Sequence, residues 1–77
     1  SHPGDVQTQR DLIVSLFKIG NACQQSNSFG RASDYYQEGL NLIRASGHPD
    51  RFTEERELFE TRLAICKFAL KRNPPPA

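Results

Sequence analysis

The chain has 77 residues, of which 36% are hydrophobic and 25% are charged, and its net charge is +1. This length is enough for one small domain. The near-neutral charge argues against binding to nucleic acid, and no run of residues is apolar and long enough for membrane insertion. Two cysteines are too few for a disulfide framework.

The two ends of the chain differ in composition from the middle. We expect residues 1–5 to form a flexible tail and residues 6–72 to form the folded domain. Residues 73–77 read Asn-Pro-Pro-Pro-Ala, which cannot continue a helix and predicts a proline-rich linker. Methionine is absent. Together these features favour a module taken from a longer protein.

The first predicted helix runs from Val6 to Gln25. Apolar residues recur along it at helical spacing and give an expected core face of Leu12, Leu16, Ile19 and Cys23. Asp5 or Thr8 can cap its start. The sequence Ser26-Asn27-Ser28 ends the helix, because these residues bond their own backbone and asparagine tolerates the left-handed conformation.

The second predicted helix runs from Phe29 to Ala45 and stops before Gly47. Its apolar stripe consists of Phe29, Ala32, Tyr36, Gly39, Leu40 and Ile43. Glycine inside a helix costs about 1 kcal/mol relative to alanine. Gly39 therefore predicts the close approach of a neighbouring helix. The short connection to the first helix predicts an antiparallel hairpin.

The third predicted helix runs from Thr53 to Arg72, with acidic residues early and basic residues late, as the helix dipole favours. It carries two apolar lines: Leu58, Arg62, Ile65 and Cys66 form one, and Phe59, Leu63, Cys66 and Leu70 form the other. A helix with such a broad apolar surface packs on more than one neighbour or leaves a strip for a partner. The predicted fold is an all-α three-helix bundle.

The first two helices alternate small and large residues at regular spacing. The positions, in order, are Leu16, Ile19, Gly20, Cys23, Phe29, Ala32, Tyr36 and Gly39. Small residues allow two helices to cross closely, and large ones fill the space around the crossing. This pattern, over roughly residues 13–44, resembles the tetratricopeptide repeat family. The resemblance implies one helical hairpin with the third helix as a cap.

A second family is compatible with the same chain. Domains of the microtubule-interacting and trafficking type are three-helix bundles of about this length, and their first two helices are similar to a tetratricopeptide hairpin. The series Phe29, Ala32, Tyr36 and the long third helix fit them. This resemblance would imply binding to tails of membrane-remodelling filament subunits beside the third helix.

The tetratricopeptide resemblance implies a non-catalytic protein–protein interaction module. In that family the corresponding face lines a groove for a partner peptide or helix, here between helices 1 and 3. The expected partner-binding residues are Val14, Phe17, Asn21, Gln24, Phe59 and Leu63. Alternatively, Phe17 packs as core beneath helix 3. A competing function is self-association, such as a homodimer without a peptide ligand, in which Phe17, Tyr35, Phe59 and Leu63 lie between copies.

No residues are spaced as a catalytic, cofactor or metal motif, so the sequence does not predict an enzyme. His2 and His48 are isolated from any nucleophile or carboxylate arrangement. Cys23 and Cys66 could form a disulfide between helices 1 and 3, but cysteines on apolar helix faces are usually small core residues. We expect reduced thiols in an intracellular protein, cytoplasmic or nuclear.

Overall fold

The computed structural model describes residues 5–72, which form three α-helices. They are α1 (Val6–Gln25), α2 (Phe29–Ala45) and α3 (Thr53–Arg72), and a 3-10 turn (Pro49–Phe52) leads directly into α3. The predicted all-α class and the three helix ranges are confirmed. The predicted linker, and all but the last residue of the predicted tail, lie outside the described residues.

The helix ends follow from local chemistry. Asp5 occupies the N-cap of α1, where its Oδ1 accepts a hydrogen bond from the backbone N–H of Gln7 at 3.3 Å. Asn27 ends the α1–α2 turn with a φ of 61°, and Gly47 follows α2 with a φ of 79°. Both residues tolerate this left-handed backbone, which most side chains disfavour. The helix boundaries were predictable because each depends on a few neighbouring residues.

Helix α2 lies at the centre of the bundle. Both α1 and α3 pack mainly on α2, and they contact each other little. Four residues along α2 are buried: Ala32, Tyr36, Gly39 and Ile43. These are members of the predicted α2 stripe, which is confirmed as the core face of that helix. Because α2 runs antiparallel to both of its neighbours, α1 and α3 run parallel to one another.

Two glycines allow the close helix crossings. A Cβ atom added at Gly20 would lie 2.7 Å from Cε1 of Tyr36, which is closer than real Cβ atoms come. A Cβ atom added at Gly39 would overlap the ring of Phe59, with 2.6 Å to Cε1. Each glycine thus lets an aromatic ring of the neighbouring helix rest on its backbone. The predicted close approach at Gly39 is confirmed.

One aromatic ring from each helix meets at the centre of the core. The ring centroids of Phe17 and Tyr36 are 5.9 Å apart, those of Phe17 and Phe59 are 5.7 Å apart, and those of Tyr36 and Phe59 are 6.0 Å apart. These are favourable distances for tilted and edge-to-face pairs. The three rings join all three helices at one level of the bundle.

The predicted core face of α1 is partly wrong. Leu12 and Ile19 are 52% and 43% exposed, whereas Ile13 is 1% exposed. Gly20 is also buried. The crossing of Gly20 on Tyr36 fixes how α1 is rotated about its axis, and Ile13 lies two turns earlier on that same line. The other two predicted members of this face are half-buried and contact the core.

The start of α1 is fixed to the loop before α3. The guanidinium of Arg10 lies 5.6 Å from the ring centroid of Phe52 and donates a hydrogen bond to the backbone oxygen of Arg51 at 3.2 Å. Its Nε also lies 3.5 Å from Glu55 Oε2. Phe52 is fully buried, although the sequence placed it in the loop. These contacts hold the N-terminal ends of α1 and α3 together.

Candidate functional site

A groove opens between the C-terminal halves of α1 and α3. The Phe17 and Phe59 rings are in contact between the two helices, and the depression lies on the C-terminal side of that contact. The resulting depression has a volume of about 520 Å³. Its walls come from the end of α1 and the second half of α3, with one residue from the start of α2: Asn21, Gln24, Gln25, Phe29, Arg62, Ile65, Phe68 and Ala69. We call it the α1–α3 groove.

Two of the predicted partner-binding residues, Asn21 and Gln24, line this groove. The Oε1 atom of Gln24 accepts a hydrogen bond from the hydroxyl of Tyr36 at 2.8 Å. This bond occupies the amide carbonyl and orients the side chain, and the NH₂ group remains as a hydrogen-bond donor. The core thus positions a polar group at the edge of the groove.

Two more predicted residues, Val14 and Phe17, lie in a separate, smaller depression nearer the N-terminal ends. Its volume is about 80 Å³, and Leu58 and Glu55 contribute to its rim. Val14 is exposed and Phe17 is half-buried. Phe17 therefore contributes to the core through one side of its ring, as the alternative reading of this residue expected.

The last two predicted residues, Phe59 and Leu63, are core residues. Phe59 is 0% and Leu63 is 7% exposed, although Phe59 also lines the smaller depression beside Val14 and Phe17. The reason for this burial is Gly39, whose missing side chain lets the Phe59 ring lie directly on the backbone of α2. Leu63 follows Phe59 by one helical turn and faces the same way.

Sequence reasoning missed the residues of α3 that take their place. Ile65 and Phe68 are 45% and 61% exposed and form the apolar wall of the groove. Arg62 lies between the two depressions, with its guanidinium carbon 5.7 Å from the ring centroid of Phe17. Arg62 and Ile65 belong to the second apolar line that the sequence showed on α3. That line was the available signal for these positions.

Charge is distributed unevenly along the groove. Within the described chain, Arg62 is the charged member of the residues that line it, and no carboxylate pairs with it. The first half of α3 is acidic, whereas its last turn carries Lys71 and Arg72. The guanidinium of Arg72 lies 5.7 Å from the ring centroid of Phe68. The groove therefore has a basic character toward the C-terminal end of α3.

The two thiols of this region are free. Cys66 is buried and Cys23 is half-buried, and neither is in a disulfide. Burial raises the pKa of the Cys66 thiol, and nearby Arg62 offsets this in part. A thiol with a raised pKa is less ionised at neutral pH and is a weaker nucleophile.

Among residues 5–72, no group of three or more histidine, cysteine or carboxylate side chains is gathered as it would be around a metal ion. Over the same part of the chain, no helix combines the length and hydropathy required to cross a membrane.

Comparison of the chain with protein-family models, with curated proteins and with solved structures finds no match. The tetratricopeptide-like and trafficking-domain-like features therefore stay predictions from the residues.

Proposed function

We propose that this chain is a non-catalytic protein–protein interaction module that holds a helix or an extended segment of a partner on the face shared by α1 and α3. The observation that carries this proposal is the α1–α3 groove, with its volume of about 520 Å³. Its combination of exposed apolar side chains and a few polar groups is typical of peptide-binding surfaces.

The groove offers three kinds of contact. Ile65 and Phe68 supply exposed apolar area, and Phe68 is the aromatic anchor of the site. Asn21 and Gln24 supply amide groups that can bond a ligand backbone. Arg62 supplies a cation that suits a carboxylate of the partner. A partner segment with apolar side chains and at least one acidic residue fits these contacts.

The packing of the hairpin supports the tetratricopeptide-like form of this proposal. Gly20 receives the ring of Tyr36, and Gly39 receives the ring of Phe59. In the sequence pattern these are the small positions at which helices cross. The two parallel helices α1 and α3 then line one face, with α2 behind them.

The absence of catalysis is part of the proposal and is supported by the local chemistry. The Cys66 thiol is buried and has a raised pKa, and His48 is exposed in a loop. Arg62 offsets the raised pKa of Cys66 only in part, so this thiol stays a weak nucleophile. The two free thiols further support an intracellular site of action, cytoplasmic or nuclear.

A peptide library tests this proposal. A display library of random-sequence peptides, both helical and extended, would be selected for binding to the protein. The protein is kept at low concentration with its thiols reduced. Peptides bound to the groove should lose binding to the Phe68→Glu variant. They should keep binding to Leu12→Glu, a matched control that introduces the same charge at an exposed apolar residue of α1 outside the groove.

The two variants distinguish binding at the α1–α3 groove from non-specific hydrophobic binding. We expect selected peptides to be enriched in apolar residues with an acidic neighbour, and Arg62→Ala should weaken them. Peptides that tolerate Phe68→Glu as well as they tolerate Leu12→Glu would place binding elsewhere on the molecule. The groove would then be withdrawn as the binding site.

A further inference from the structure

The outward face of α3 carries a line of residues with coiled-coil spacing. Leu58, Thr61, Ile65 and Phe68 follow one another at intervals of three, four and three residues. All four are exposed, and the three apolar members are 50%, 45% and 61% exposed. This spacing is that of the a and d positions through which helices pair. We call these four residues the outer seam.

The outer seam lies on the solvent-exposed side of α3, where Leu58, Ile65 and Phe68 border the two depressions that α3 shares with α1. The buried residues of α3, Phe59, Leu63 and Cys66, lie on the opposite side of the helix. Within residues 5–72, neither α1 nor α2 covers the seam. An approaching helix would therefore reach Leu58, Ile65 and Phe68 without displacing any part of the fold.

Charge along α3 indicates what kind of helix fits the seam. Residues 53–61 of α3 include four acidic residues and one basic residue: Glu54, Glu55, Arg56, Glu57 and Glu60. The charged residues among 62–72 are all basic: Arg62, Lys67, Lys71 and Arg72. A helix with opposite ends of opposite charge attracts an antiparallel copy of itself and repels a parallel one.

We propose that the partner of this face is a second copy of the chain, with the two α3 helices paired antiparallel along their outer seams. The inference rests on the proposed function, since both place a partner on the α1–α3 face, and it names that partner. The pairing is isologous, so each contact occurs twice about a two-fold axis.

Helix geometry fixes the register of this pair. Leu58 packs against Phe68 of the partner subunit, and Ile65 packs against Thr61 of the partner subunit. Ala64, small and exposed, lies next to the axis and allows the helices to approach closely. Glu57 and Lys71 flank the seam on the side of Ala64, and in this register Glu57 faces Lys71 of the partner subunit.

Arg62 flanks the opposite side of the seam, where it would approach its own copy across the axis. Like charges at that position disfavour pairing, but the guanidinium lies over the ring of Phe17. That contact directs it toward α1 and away from the axis. Two Glu57–Lys71 pairs and the apolar contacts of Leu58 and Phe68 favour the dimer. They outweigh the single repulsive approach between the two Arg62 side chains.

Charge exchange provides a direct test. The mass of the wild-type chain, its thiols reduced, would be followed by sedimentation equilibrium over a wide range of concentration. We expect it to rise from 8.7 kDa toward twice that value. Glu57→Lys and Lys71→Glu each create two like-charged pairs in the dimer and should each raise its dissociation constant about tenfold.

The decisive sample is an equal mixture of the two variants. In a heterodimer of Glu57→Lys with Lys71→Glu, both pairs again join opposite charges, so the mixture should recover wild-type association. Glu38→Lys serves as the matched control, because Glu38 is exposed on α2, away from the seam. All three substituted positions are solvent-exposed, and circular dichroism should show wild-type helix content in each variant.

The outcomes separate the inference from the proposed function. Pairing through the outer seam would be overturned if the wild-type chain stays at 8.7 kDa at every concentration. It would also be overturned if Glu57→Lys and Lys71→Glu leave the dissociation constant of the dimer unchanged. Groove-dependent peptides from the library would then still support the proposed function. If no such peptides are found either, both proposals fail. Recovery of association in the mixed sample alone supports the antiparallel seam.

Discussion

The inner face of α3 (Phe59, Leu63 and Cys66) and its outer seam are similar in apolar content but differ in solvent exposure. Phe59 and Cys66 on the inner face are 0% exposed, whereas Leu58 and Phe68 on the outer face are 50% and 61% exposed. The difference arises on α2, where Gly39 makes room for one aromatic ring of α3 and no other. The fold buries one face of this helix, and the second face stays exposed to solvent.

The sharpest test of this comparison replaces one phenylalanine on each face. Phe59→Ala should lower the free energy of unfolding by about 3–5 kcal/mol, because it removes a buried ring from the three-ring cluster. Phe68→Ala should change that free energy by no more than about 0.5 kcal/mol in dilute solution. Chemical denaturation followed by circular dichroism measures both. Equal losses for the two variants would contradict the distinction between the faces.

A second test concerns Gly39, which leaves room for the Phe59 ring on the inner face of α3. Gly39→Ala places a methyl group against the Phe59 ring, and the overpacking should cost about 1–3 kcal/mol despite the better helix propensity of alanine. Gly30→Ala is the matched control in the same helix, since nothing lies within 4 Å of its added Cβ.

The control substitution should be neutral or should raise the free energy of unfolding by up to about 1 kcal/mol. Thermal melts of both variants give the comparison. A Gly39→Ala protein as stable as Gly30→Ala would mean that the Phe59 ring moves aside without loss, and the close crossing would lose its importance.

A smaller effect is expected at the third ring of the cluster. Tyr36→Phe keeps the ring and removes the hydroxyl that donates to Gln24 at 2.8 Å. The free energy of unfolding should fall by about 1 kcal/mol. Because Gln24 lines the groove, the same variant should also weaken groove-selected peptides. Denaturation and peptide titration report the two effects separately, and a change in neither would show that this bond does not position Gln24.

The smallest effect concerns the buried thiol of the inner face. Burial raises the pKa of Cys66 above its ordinary value of 9.0. The folded state therefore holds this proton more tightly than the unfolded state does, and stability should decrease as pH rises above 9.0. Cys66→Ala should reduce this decrease and leave the part due to Tyr36, whose pKa is also raised by burial. Identical pH dependence in the variant would contradict the prediction.

The sequence predicted features that depend on nearby residues. Asp5, Asn27 and Gly47 act through their own backbone conformations or through bonds to residues close in the chain, so the helix ranges could be read directly. The central role of α2 was also accessible, because Gly39 inside an apolar stripe has few explanations other than a close crossing.

Features that depend on helix rotation were less accessible. Leu12 and Ile13 are adjacent in the chain and similar in hydropathy, and the crossing at Gly20 decides which of them is buried. Phe59 was assigned to the binding surface because its line on α3 was apolar, a property that core and binding residues share. Phe52 was missed because a single aromatic residue in a short loop has no periodicity to mark it.

The contacts of Arg10 have a mechanical consequence for the groove. They fix the spacing of α1 and α3 near their N-terminal ends, and the Phe17–Phe59 contact and the packing of both helices on α2 fix it further along. From Glu55 to Arg72, α3 extends for about 26 Å. A change of roughly 5° in the angle between α1 and α3 at Arg10 and Glu55 would therefore shift the C-terminal end of α3 by about 2 Å. The width of the α1–α3 groove is thus sensitive to contacts at the opposite end of the two helices.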